Sequence, residues 1–238
     1  MLSYKPWRME AVIQLIAGLF ACMGVGVVAV TLLQKSGAAP FRSPESLANI
    51  LLSTLSFQGA AWALIIIFLR QHGLDWREGL GFRQVKLLKV MLLAGGVLAA
   101  TLPVVLGLQQ LSMLVLDKLG WASDDQRAVE LIVNADSVWL RGYLVFFAVV
   151  LAPVAEEFIF RGMLYPFFKQ LGRPRLALLG VSFLFAAIHL NAPTFVPLFV
   201  LALVFTWLYE KTDCLLAPIA AHSLFNTANL VILFIQTR

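Results

Sequence analysis

The chain has 238 residues, 61% of them hydrophobic and 13% charged, with a formal net charge of +5 and a mean hydropathy of +0.87. Soluble domains run at about half apolar and a quarter charged, so this chain cannot build a polar surface. A soluble enzyme, a disordered chain and a free nucleic-acid-binding domain are excluded, and an integral membrane protein is left.

Crossing the hydrocarbon core takes about 20 mostly apolar residues. The first such run is Ala11 to Leu33, too long for the apolar part of a signal peptide although Ser36-Gly37-Ala38 mimics a cleavage site. The second is about Leu47 to Leu69 and the third about Val90 to Leu116. A fourth, Tyr143 to Phe168, carries Glu156, Glu157 and Arg161 inside it. Two short runs, Leu176 to Leu190 and Thr194 to Tyr209, are divided by Asn191-Ala192-Pro193, and a last run covers Cys214 to Ile235. The expected fold is an all-α polytopic transmembrane helix bundle of about seven to eight spans, with residues 1–238 forming one membrane domain.

Between spans, Gly73 to Arg83 mixes aromatic and basic residues, as segments in the headgroup layer do. Asp117 to Ser137 is acidic, and Gln126 to Val133 reads as a short surface helix. Cys22 and Cys214 form neither a disulfide framework nor a metal-binding pair and read as inert thiols. Basic residues set orientation. Seven crossings with the N-terminus inside put Lys5, Arg8, Arg70, Arg77, Arg83, Lys86, Lys89, Lys169, Arg173, Arg175 and Lys211 on the inner side. Lys35, Arg42, Lys118, Arg127, Arg141 and Arg238 fall outside. The expectation is a multi-pass cell-membrane protein with a cytoplasmic N-terminus, its excess charge lying against anionic lipid.

Glu156 and Glu157 are the acids well inside an apolar run, and ionisable groups at that depth point to function or to a partner. Glu157 and Arg161 are four apart, in the order that favours an ion pair on one helix face. Glu156 projects about 100° away and is left to face something else. His72 sits among basic residues at the end of the second span and reads as a solvated or capping group. His189 closes an apolar stretch, and His222 shares a helix face with Asn226. Helical rise puts Glu156, His189, His222 and Asn226 roughly 12–20 Å below the ends of their spans, in one layer.

That set suits peptide hydrolysis, which needs an activated water and donors for the developing oxyanion. A carboxylate can serve as base, a histidine can share the water or protonate the leaving amine, and a second histidine with an asparagine can hold the oxyanion. Glu156, His189 and His222 could instead bind zinc; without HExxH, spacing favours zinc less. A transporter would need paired repeats and broken helices in both halves, whereas the polar groups here converge at one depth. A non-catalytic scaffold that keeps the same constellation is the third possibility.

Three motifs stand in order: Glu156-Glu157-Phe158-Ile159-Phe160-Arg161 fits EExxxR, Phe185-Ala186-Ala187-Ile188-His189 fits FxxxH, and His222-Ser223-Leu224-Phe225-Asn226 fits HxxxN. Together they resemble the CPBP (ABI) family of intramembrane proteases. That family includes type II CAAX prenyl endopeptidases and bacteriocin-processing enzymes. The resemblance covers about Leu144 to Leu230. It implies a catalytic region over 144–230 and a peptide or protein substrate at the membrane. Glu156 would be the base, His189 its partner on the water, and His222 with Asn226 the oxyanion site. Glu157 and Arg161 would support it structurally. Members are commonly labelled metalloproteases, while the glutamate mechanism dispenses with a catalytic metal; no cofactor is firmly expected. A bacteriocin-immunity role is the non-catalytic reading within the same family.

Overall fold

In the computed structural model, residues 2–43, 46–79, 81, 86–121, 127–135 and 137–236 are described. Their regular structure is helical, with no strand among them. In chain order the helices are α1 (Met9–Lys35), α2 (Leu47–Gln71), α3 (Trp76–Gly79), α4 (Leu87–Lys118), α5 (Arg127–Val133), α6 (Val138–Gln170), α7 (Pro174–Ala187), α8 (Ala192–Thr212) and α9 (Leu216–Gln236).

Six of these, α1, α2, α4, α6, α8 and α9, are long and apolar enough to cross a membrane. The expected fifth span is the exception. Its helix, α7, has 14 residues, about 21 Å at helical rise against a core of about 30 Å. The Asn191-Ala192-Pro193 break explains both its end and the greater length of α8. Asn191 Oδ1 accepts from the Thr194 amide at 3.2 Å and caps α8, and Pro193 takes a first-turn position where its missing N–H costs nothing. Ser46 and Ser137 cap α2 and α6 in the same way, on the amides of Asn49 and Leu140. The expected surface helix at 126–133 is present as α5; Gln126 lies outside the described residues, as do Leu80, Phe82 and Arg83 of the expected headgroup segment.

The bundle is built around α8. It packs on α4 and α7 and touches α9, while α9 packs on α4 and α6. Leu201, Ala202, Phe205, Leu208 and Tyr209 of α8 are fully buried. The α1 and α2 helices pair with one another at the flank. Large apolar side chains such as Phe20, Val25, Leu92 and Leu114 point outward, which lipid tolerates and water would not. Gly81 joins the headgroup segment to the turn after α8. It has φ of 75°, and a Cβ there would come 1.9 Å from Asp213 O, so only glycine fits.

Candidate active site

The middle of α6 is where the polar residues of the sequence come together. Two π-helical stretches, Phe147–Leu151 and Phe158–Leu164, bracket the regular turn Ala152–Glu157. A proline follows each stretch. In the first, the Ala152 amide bonds Phe147 O five residues back. Continuing that pattern, Pro153 should bond Ala148 O, but it has no N–H to give. Asn226 of α9 supplies the missing donor, its Nδ2 lying 2.8 Å from Ala148 O.

Glu157 and Arg161 form the ion pair their spacing predicts, with Arg161 Nη1 donating to Glu157 Oε1 at 3.0 Å and both side chains fully buried. Arg161 Nη2 reaches across to Ala202 O of α8 at 3.1 Å. Its guanidinium lies 4.5 Å from the Phe185 ring centroid and 5.4 Å from that of Phe205, where ring faces stabilise a desolvated cation.

His222 joins the same carboxylate, with Nδ1 2.8 Å from Glu157 Oε1. A carboxylate that pairs with Arg161 accepts, so Nδ1 carries the proton. The ring is stacked on Phe205 at 5.0 Å and meets Phe185 edge-on at 5.8 Å. Its Nε2 lies 3.8 Å from Glu156 Oε2, beyond hydrogen-bond reach. That oxygen is buried and has no hydrogen-bond partner among the described residues. The two glutamates point about 100° apart on their helix and still meet one imidazole, each at a different ring nitrogen.

His189 lies in the turn just after α7 and also meets Phe185. Its Nδ1 is 2.7 Å from Phe185 O, and its ring lies 4.9 Å from the Phe185 ring. A carbonyl oxygen only accepts, so Nδ1 is the donor and Nε2 is the ring nitrogen left over. No hydrogen bond or ion pair joins His189 to Glu156 among the described residues, and Phe185 is the neighbour that His189 and His222 share. Nor do three His, Cys, Asp or Glu side chains converge as a metal-ligand group among those residues.

Sequence spacing did not reveal Phe205 or Ala148. Phe185 stood in the FxxxH motif without a role, and here its ring touches both imidazoles and covers Arg161. The two prolines of α6 were a usable signal, since each must orphan a carbonyl. His72 does cap, as expected: it ends α2 with Nδ1 2.7 Å from Phe68 O. Cys22 and Cys214 are both free thiols.

Residues 138–228 match the family described as Type II CAAX prenyl endopeptidase Rce1-like. No curated protein and no solved structure matches the chain. The match spans α6 to most of α9 and includes both glutamates, Arg161, both site histidines and Asn226. With six helices fit to span a membrane, this is a multi-pass membrane protein, and residues 138–228 are a domain of the Rce1-like type II CAAX prenyl endopeptidase (CPBP) family.

Proposed function

We propose that the chain is an intramembrane endopeptidase that cleaves membrane-associated or C-terminal peptides with a glutamate-activated water. The observation that carries this reading is the buried Glu156 Oε2, without a hydrogen-bond partner among the described residues and 3.8 Å from His222 Nε2. Family membership supports the coarser class, a CAAX-type endopeptidase acting on peptides.

In this mechanism Glu156 takes a proton from water as the oxygen attacks the scissile carbonyl, and the carbonyl electrons move onto its oxygen. His222 donates from Nε2 to that oxyanion. Because Nδ1 already gives its proton to Glu157, a donating Nε2 makes His222 the imidazolium, whose charge Glu156 and Glu157 offset. One N–H of Asn226 is spent on Ala148 O, which orients the amide so that its second N–H serves the oxyanion. His189 engages the water through Nε2. The proton taken by Glu156 passes to the leaving amine as the C–N bond breaks. Donors fixed before the reaction are worth most where charge develops.

The basic segments support a cytoplasmic N-terminus. Lys5 pairs with Asp213 at 3.3 Å and Lys169 with Glu210, which gathers residues assigned to the inner side at one end of the bundle. The test is a cleavage assay in detergent with prenylated and unprenylated peptides, run with metal analysis. Turnover of a peptide class by the wild type that disappears in Glu156→Gln supports the reading. No turnover across the panel, or equal turnover by Glu156→Gln, overturns it.

A further inference from the structure

We propose that Trp7, outside the matched domain, is a positioning residue for the catalytic helix: its indole N–H replaces the backbone donor that Pro166 lacks. This rests on the hydrolase reading above. Trp7 Nε1 donates to Gly162 O at 3.0 Å, a buried bond across 155 positions of sequence. Tyr165 closes the second stretch by bonding Phe160 O five residues back; with the α-helical register resumed at Pro166, Gly162 O lies four residues before a residue that has no N–H to offer. Asn226 plays a comparable part for Ala148 O, the carbonyl five residues upstream of Pro153. Each π-helical stretch of α6 is thus tied by one side chain from another element, and Glu156 and Glu157 lie between the two ties.

The indole is held from several directions. Its ring is 5.0 Å from Phe68 and 5.1 Å from His72, both at the end of α2. The next residue, Arg8, donates its amide to His72 Nε2 at 3.0 Å. Lys5 is buried, pairs with Asp213 and receives Gln170 Nε2 on its carbonyl. On the same face of α6, Trp62 meets Phe158 edge to face at 5.1 Å, four residues before Gly162. Two tryptophans, Trp7 just before α1 and Trp62 of α2, therefore hold the stretch that carries Arg161. Arg161 in turn bonds Glu157, and Glu157 bonds His222. Loss of the tie at Gly162 shifts that chain of contacts, and catalytic geometry is sensitive to ångström displacements.

Trp7→Phe retains an aromatic ring against Phe68 and His72 but removes the donor along with part of the indole's volume; Pro166→Ala returns a backbone N–H, which restores the donor and not the volume. Turnover and peptide KM are measured for the wild type, both single variants and the double variant. Amide hydrogen exchange over 158–164 and thermal unfolding are measured alongside. The expected result is a kcat on the order of tenfold lower in Trp7→Phe with KM unchanged, faster exchange over 158–164, and recovery of both in Trp7→Phe/Pro166→Ala. Wild-type kcat and exchange in Trp7→Phe overturn the proposal, as does a loss that Pro166→Ala fails to restore. A wild type that cleaves nothing refutes the hydrolase reading instead, and the exchange data alone then decide whether Trp7 sets the conformation of α6.

Discussion

His222 Nδ1 and Glu157 Oε1 are 2.8 Å apart, and this bond fixes which ring nitrogen faces Glu156. The second carboxylate of the EExxxR motif therefore has two partners, a cation on its own helix and an imidazole from α9. Conservative changes at the two glutamates should have different consequences. Glu156→Gln keeps the shape of a side chain whose nearest charged partner is 3.8 Å away, so the protein should stay folded and lose hydrolysis. Glu157→Gln leaves Arg161 buried without its counter-charge, which typically costs about 3–5 kcal/mol. Unfolding in detergent and single-turnover cleavage read the two effects. A stable, inactive Glu157→Gln beside an active Glu156→Gln would reverse the roles.

Stability and activity should also separate when both members of the buried pair are removed. Replacing a buried ion pair by apolar groups of similar volume is often neutral, whereas removing one member is not. Glu157→Leu/Arg161→Met should therefore recover most of the stability lost in either single variant, with a coupling energy of about 1–3 kcal/mol. Activity should not return, because His222 loses the acceptor that orients it. A double variant with wild-type turnover would show that Glu157 contributes nothing to catalysis beyond holding Arg161.

How much of this was legible in the sequence follows from how local each feature is. The Glu157–Arg161 pair is set by helical spacing, and six of the seven expected spans are helices long enough to cross the core. The break at Asn191-Ala192-Pro193 was readable as well, because its cap and proline act within one turn. What the sequence could not supply is rotation and depth between helices. Glu157 reads as spent on Arg161, yet α9 brings His222 onto the same oxygen. His189 reads as the glutamate's partner on the water, and spacing gave no hint that the Phe185 ring would touch both imidazoles. Asn226 looks free on its helix until Pro153 of another helix leaves Ala148 O in need of a donor.

Orientation can be tested by cysteine labelling in a background lacking Cys22 and Cys214. From a cytoplasmic N-terminus, one crossing (α1) places Arg42 outside and four (α1, α2, α4 and α6) place Arg173 inside, as the distribution of basic residues favours. An impermeant maleimide should label Arg42→Cys on intact cells and Arg173→Cys only after the membrane is opened. The reverse pattern would invert the topology.

The roles of His222 and Asn226 lead to the last prediction. Oxyanion donors act on charge that appears in the transition state, so their loss lowers turnover far more than substrate binding. His222→Ala and Asn226→Ala should each cost about 2.7–4 kcal/mol in the barrier. Asn226→Ala should also disturb the helix it ties, since Ala148 O then has no donor in place of the N–H that Pro153 lacks. Asn226→Asp tests this point directly, because a carboxylate can donate neither to Ala148 O nor to an oxyanion. It should be as inactive as Asn226→Ala despite its similar shape. The double His222→Ala/Asn226→Ala variant should lose markedly less than the sum if both donors serve one oxygen. A zinc mechanism predicts another pattern: stoichiometric metal in the wild type, lost with His222 and partly regained on adding zinc, while Asn226 matters little. Metal content and kcat/KM of the single and double variants separate the two. Zinc that is bound one to one and disappears with His222 would sink the glutamate mechanism.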